Sequence, residues 1–258
     1  MCGPFRMPAA ALPGRPPAGG PYASSMTTEG RGLHTHVLDT LGLAITAGEY
    51  PQGSVLRTDE VAQRFDVSRT VVREVVRVLE SMRLVESRRR VGVTVRPAEE
   101  WNVYDPRVIR WRLAGADRPR QLRSLTVLRS AIEPVAASLA ALNATPEQCA
   151  GLTECALGMV ATSRGRQLEA YLEHDIAFHR IVLNASGNEM FARLGDVVAE
   201  VLAGRTHHHV MFEDPDPAAV TLHVQVAEAV REGDAERAER LTREIAVGAL
   251  EELDVLAP

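Results

Sequence analysis

The chain of 258 residues contains no lysine, and all 29 of its basic side chains are arginine. That absence excludes chemistry. No amine is available for an internal Schiff base with pyridoxal phosphate, and no lysine for a nucleotide phosphate loop. Aromatic residues make up only 4% against a hydrophobic content of 45%, so aliphatic side chains must fill the cores. Cys2, Cys149 and Cys155 are odd in number and have no C-x-x-C spacing. Neither a disulfide framework nor a thiolate zinc site follows from them, and reduced thiols with a cytoplasmic location are expected. No apolar run approaches the ~20 residues of a membrane span, and the N-terminus lacks the apolar region of a secretory signal. No membrane partner is expected.

The formal charge of −5 argues against a nucleic-acid binder if taken as a single number. Its distribution along the chain points the other way. Residues 31–97 hold 11 arginines against 8 acids, whereas residues 98–258 hold 16 against 25. A mildly basic segment is joined to an acidic one. The length suits two modest domains, by a prior of roughly 100–200 residues each.

The basic segment has internal order. Residues 56–95 read LRTDEVAQRFDVSRTVVREVVRVLESMRLVESRRRVGVTV. The pattern predicts a helix capped by Thr58, a turn at Asp66-Val67-Ser68, a second helix capped by Ser68, and a two-stranded hairpin. On the second helix Val71, Val72, Val75, Val76, Val78, Leu79 and Met82 form an apolar side, and Thr70, Arg73, Glu74 and Arg77 recur on the other. Such a helix can place Ser68, Arg69, Thr70 and Arg73 against base edges and phosphates of a major groove. The hairpin tip, Arg88-Arg89-Arg90, can reach the backbone or the neighbouring minor groove. The plain alternative is a small helical domain with a solvated arginine face.

Residues 1–30 are rich in Pro, Gly, Ala and Ser without periodicity and are expected to be a disordered tail; Met26 offers a second start for the chain. A helix over 34–47, with Gly48 closing it, precedes the helix-turn-helix within a reader domain of residues 31–97. Residues 98–119 form a linker containing both tryptophans, Trp101 and Trp111, and Asp105-Pro106 is a helix start. A hydrophobic clasp is the favoured reading of these tryptophans over a ligand cage. Residues 120–258 are helical throughout, with breaks predicting helices at 120–142, 146–162, 167–184, 188–212, 217–232 and 234–256. The fold class is therefore mainly α: a winged helix-turn-helix followed by an antiparallel helical bundle able to enclose a cavity.

Polar residues on those apolar helices mark where a cavity would lie. Asp175 and His179 are four residues apart and project from one face, and His223 begins a later helix. A carboxylate and two imidazoles suit Zn2+ or a similar divalent ion. By spacing alone, such an Asp–His pair is more often a surface ion pair or a satisfied core histidine. Arg129 could pair with a carboxylate ligand bidentately or form a salt bridge with Glu133 one turn on. The His207-His208-His209 run fits a polar face near a bundle end, with a lent metal ligand as the alternative.

The run DVSRTVVREVVRVLESMRLV followed by RRRVGVTV resembles the winged helix-turn-helix of the GntR family of bacterial transcription regulators, through Val67, Ser68, Arg69, Thr70, Val72, Arg73, Glu74, Leu79, Gly92 and Val95. The resemblance implies double-stranded DNA, a pseudo-palindromic operator and a homodimer, with contacts from Ser68, Arg69, Thr70, Arg73, Arg77, Arg88, Arg89, Arg90 and Gly92. Position 59 departs from the family: many members carry a DNA-contacting arginine there, and this chain has Asp59. The W-N-x-x-D-P-x-V-x-x-W linker is similar to that of family members responding to sugar acids such as galactonate. Asp175, Phe178, His179, the Ser186-Gly187-Asn188 turn and the segment from His223 to Asp234 resemble the FCD ligand-binding domain of FadR-like members. That likeness implies a small organic acid held by Arg129, Asp175, His179, Asn188 and His223, and a metal held by Asp175, His179 and His223. The family's fourth ligand, a histidine, would fall near Ile245, with Glu244 beside it on another face. The whole implies a ligand-controlled regulator, most simply a repressor, and no enzyme. A metal-dependent hydrolase or lyase with a winged-helix interaction module is the rival reading, and a DNA-packaging protein without an effector a third.

Overall fold

The computed structural model describes residues 26–163, 167–207 and 215–256. The tail expected at residues 1–30 falls outside them up to residue 25, and the first helix, α1, spans Met26–Thr46, starting earlier than the sequence pattern predicts. It buries Val37, Leu38, Leu41 and Ile45 against the reader and ends where Gly48 turns with φ 80°.

Strand β1 (Val55–Leu56) leads into α2 (Thr58–Phe65), α3 (Arg69–Ser81) and the hairpin of β2 (Val85–Arg88) and β3 (Gly92–Val95). Thr58 is the first helical residue rather than the cap; Arg57 occupies the cap position without a side-chain bond, and Asp59 and Glu60 supply the negative charge a helix start favours. Ser68 does cap α3, its hydroxyl accepting from Val71 N–H at 3.3 Å. The wing has three strands, in the order β1-β3-β2, with Val55 opposite Thr94. A strand of two residues is too short for alternation to reveal it in sequence. Val72, Val75 and Leu79 of α3 are fully buried, each contributing about 1.5–3 kcal/mol by leaving water.

The linker is a packed element. Asp105 caps α4 (Pro106–Leu113), accepting from Arg107 N–H at 2.9 Å, with Pro106 at the first helical position. Two of its residues, Val108 and Trp111, belong to the reader's core. Two others, Ile109 and Leu113, pack with Leu122, Leu125, Val197, Val201 and Leu253 of the bundle. Trp111 Nε1 donates to Asp39 Oδ1 of α1 at 3.2 Å, and Trp101 Nε1 to the Arg96 carbonyl at 3.0 Å. Both tryptophans thus pack on the reader, and the apolar grip on the bundle comes from Ile109 and Leu113 instead of from an aromatic clasp between the domains.

The bundle consists of α5 (Arg118–Asn143), α6 (Pro146–Thr162), α7 (Leu168–Ala185), α8 (Glu189–Ala192), α9 (Gly195–His207), α10 (Pro217–Glu232) and α11 (Ala235–Leu256). The helix expected at 188–212 is two helices, because Asn188 caps a short α8 and the chain turns again before Gly195; residues 208–212 lie outside the described residues. By length and composition α5 could cross a membrane, but half of its apolar window is buried inside the protein, as in a core helix, and it carries the buried Arg129 and Glu133.

Candidate metal and effector centre, and the arginine face of the reader

Helices α5, α7 and α10 bring polar side chains to one point of an otherwise aliphatic interior. Asp175 and His179 sit one turn apart on α7, and His223 comes from α10. Their exposures are 7%, 2% and 3%, so bulk solvent does not reach them. The His179 Nε2 atom is 3.3 Å from Asp175 Oδ1, His223 Nε2 is 3.4 Å from the same oxygen, and the two Nε2 atoms are 3.4 Å apart. Ligands held about 2.0–2.1 Å from a tetrahedral metal are separated by about 3.3–3.4 Å. The three separations therefore match one face of such a site.

The far side of each ring reinforces the match. His223 Nδ1 lies 2.7 Å from the Ala219 carbonyl, an acceptor to which it can only donate. The ring of His179 has its Nδ1 3.3 Å from Glu133 Oε2, again an acceptor. With both Nδ1–H groups engaged, each ring in its neutral form would turn an Nε2 lone pair toward Asp175 Oδ1, the form a metal ion would select. Among the described residues that oxygen is buried without a hydrogen-bond partner. With both Nε2 atoms deprotonated, three lone pairs would face one point, and that arrangement fits a cation; Arg129 Nη2, 3.3 Å from His179 Nε2, is the donor beside it.

Glu133 was visible in sequence only as a salt-bridge partner for Arg129, and the structure gives it a second role. Its Oε1 and Oε2 accept from Arg129 Nε at 2.9 Å and Nη2 at 3.1 Å, while it also orients His179. Burial alone would push the Glu133 carboxyl up, but the positive charges of Arg129 and His179 prevail and lower it to about 2. In the metal-free protein His179 moves the other way: burial would lower it, yet Glu133 and Asp175 raise it to about 9. For Asp175, burial is outweighed by the imidazoles of His179 and His223 beside it, and the group falls well below the usual carboxylate range.

Asp175, His179, His223 and Arg129 line a cavity of about 90 Å3 together with Tyr171, Arg205, Glu244, Ile245 and Glu252. One water occupies roughly 10–15 Å3 of such space, so the cavity has room for about six to nine small groups. The Arg129–Glu133 pair and a cavity role for Arg129 coexist, since Nη1 is buried without a partner among the described residues. Asn188 stands apart: it is absent from the cavity lining, and its Oδ1 accepts from Met190 and Phe191 N–H to cap α8. Both Ile245 and Glu244 are on the cavity wall, although helical spacing alone separated them. His207 is exposed, 3.1 Å from Glu169, and His208 and His209 lie outside the described residues. Arg205, Glu252 and Tyr171 were missed because single polar residues on α7, α9 and α11 carry no periodic signal.

The reader's sequence-predicted contact residues are all exposed. Arg69, Thr70, Arg73 and Arg77 are exposed along α3, and Ser68 stands at its N-terminus. Arg88 ends β2, and Arg89 and Arg90 form the exposed turn before Gly92, whose φ of 112° admits glycine most easily. The pairs Arg69–Asp59, Arg77–Glu74 and Arg88–Glu86 are solvent-exposed on their arginine side.

A winged helix-turn-helix with an arginine face, docked through a buried helix onto a bundle with a polar cavity, defines a DNA-binding transcription regulator with an effector domain. Residues 33–95 match the model of the bacterial regulatory proteins of the gntR family, and residues 124–247 match that of the FCD domain. The chain belongs to the GntR family and carries the FCD domain of its FadR-like branch. It is similar to the galactonate operon transcriptional repressor of Escherichia coli, with 31% identity over 206 residues covering 79% of this chain and 89% of that one. It is also similar to the probable D-xylose utilization operon transcriptional repressor of Paenarthrobacter nicotinovorans, at 29% identity over 82% and 85%. Among solved structures, the Listeria monocytogenes protein Lar shares the fold, with a TM-score of 0.55 and 18% identity over 87% of this chain and 98% of that one. The family and these relatives are regulators of transcription, not enzymes, which removes the hydrolase or lyase reading.

Proposed function

We propose that this chain is a cytoplasmic, homodimeric repressor whose hold on a pseudo-palindromic operator is set by a small carboxylic acid bound in the bundle. The observation that carries this reading is the convergence of Asp175 Oδ1, His179 Nε2 and His223 Nε2 in one cavity that Arg129 also lines, its Nη1 without a partner among the described residues. The triad fits a divalent ion such as Zn2+, which when bound would supply positive charge for the acid's carboxylate. Arg129 adds a donor, and Glu133 holds both Arg129 and the His179 ring in place. Relatives named for galactonate and D-xylose operons support sugar acids as the class to try first. On the DNA side, Ser68, Arg69, Thr70, Arg73 and Arg77 with Gly92 and the Arg88-Arg89-Arg90 tip would divide base reading from phosphate contact.

The coupling needs two arrangements of the dimer that the acid binds unequally. The α4 helix is suited to transmit the difference, because one side belongs to the reader's core and the other to the bundle's. The test is binding to the DNA upstream of the protein's own gene, at fixed salt, with Zn2+ and a panel of sugar acids. Sequence-preferring binding weakened by one acid is the expected result. Binding indifferent to every acid, or no sequence preference at all, would overturn the reading.

A further inference from the structure

Arg205 and Glu252 lie in the same cavity, and neither belongs to the triad or its supports. Arg205, on α9, is 9% exposed, and its Nη2 donates to Glu252 Oε2 on α11 at 2.5 Å. Its Nε is buried and has no acceptor among the described residues. Arg129, on α5, has the same deficit at Nη1. Two guanidinium groups from different helices thus line a single cavity, and each has one buried donor without a partner among the described residues. Buried donors are normally paired, so a bound molecule with two separated acceptors would complete both.

The partner of Arg205 decides what the second acceptor is. A second carboxylate would meet the negative charge of Glu252, and an alkyl end would leave the Arg205 donor unpaired. A hydroxyl satisfies both groups, since its oxygen accepts from Nε–H and its proton is donated to the Glu252 carboxylate. We infer that Arg205 and Glu252 form a hydroxyl-reading subsite, so that the cavity selects compact polyhydroxy acids over alkyl acids of the same length. This inference rests on the reading of the cavity as the acid's site.

The experiment is calorimetry on the full chain with Zn2+, using acids matched in length: glycerate with propanoate, threonate with butanoate, a hexonate with hexanoate. In the wild type the hydroxylated member of at least one pair binds about tenfold or more tightly than its alkyl partner, the scale of one charge-assisted hydrogen bond. In Arg205→Gln and in Glu252→Gln that ratio falls below about threefold, while Zn2+ uptake persists and reports an intact bundle. Should a single variant fail to take up Zn2+, the paired Arg205→Met/Glu252→Leu change, which leaves no lone buried charge, provides the same ratio. Retention of the tenfold preference in these variants overturns the subsite and leaves the cavity's acid-binding role standing. So does a wild type that binds alkyl acids as well as hydroxylated ones. A wild type that binds no acid of either kind overturns the effector reading itself, and the subsite falls with it.

Discussion

Arg69 Nε lies 3.1 Å from Asp59 Oδ1, so the first residue of α3 is tied to the acid in the first turn of α2. In water the pair contributes little, because both side chains are largely exposed. Against DNA its role changes. If Arg69 reads a guanine edge, as the resemblance implies, Asp59 would restrict the orientations its guanidinium can take.

Arg69→Ala should therefore cost about 1–3 kcal/mol of operator binding, the range for a lost bidentate base contact. Asp59→Ala should loosen discrimination at the same base pair and raise affinity for random DNA, since an acid is removed beside the phosphates. Anisotropy titrations at one salt concentration, on the operator and its single-base variants, measure both. Base preference unchanged in Asp59→Ala would mean that the groove alone orients Arg69.

Removing the metal should destabilise the bundle. A ligand that binds only the folded state adds about 2.7 kcal/mol at a hundred times its dissociation constant. A chelator should lower the thermal midpoint, and Zn2+ should restore it. In His223→Gln and Asp175→Asn neither treatment should matter, because each takes one corner from the three-atom face. A wild-type melt insensitive to chelator and Zn2+ alike would count against a metal.

The reader was legible because its signals are local: an apolar side on α3, a serine cap, and an arginine turn between alternating valines. The Asp175–His179 pair was legible for the same reason, as four residues make about one helical turn. What could not be seen came from contacts between distant helices. Nothing in the spacing of Glu133 says that it will meet His179 of α7, and Arg205 and Glu252 are 47 positions apart. Strand β1 is too short for a period, and the turn at Arg193-Leu194 that separates α8 from α9 leaves no mark in hydropathy.

The buried charges predict how the metal-free protein responds to pH. Glu133 falls to about 2 in the folded state, so its contribution is present above the ordinary glutamate range and is lost as pH drops toward 2. His179 rises to about 9, so its contribution is full below its ordinary value near 6.5 and fades as pH climbs to 9. Metal-free protein should be most stable between about pH 4.5 and 6.5 with respect to these two groups. Denaturant midpoints across about pH 3–9 give the profile. In Glu133→Gln the acid limb should shrink, and overall stability should fall because Arg129 is left buried without its counter-charge.

The last prediction concerns the joint between reader and bundle. A methyl group at Gly42 of α1 would run into the ring of Trp111, which is 3% exposed and fixed by its bond to Asp39. Gly42→Ala should cost about 1–3 kcal/mol as α4 is pushed off α1. Gly32→Ala, on the same helix with open space around it, should be neutral or mildly stabilising. The same α4 helix places Leu113 against Gly204, where a Cβ would come within 2.6 Å, and pairs Arg110 with Glu200, both partners lying on the α9 that carries Arg205. A displaced α4 should therefore reduce the ratio of operator affinities with and without acid more than it reduces either binding step alone. Tryptophan fluorescence follows the joint, and paired DNA titrations give the ratio. If Gly42→Ala kept the full acid response, the signal would have to reach the reader by a route other than α4.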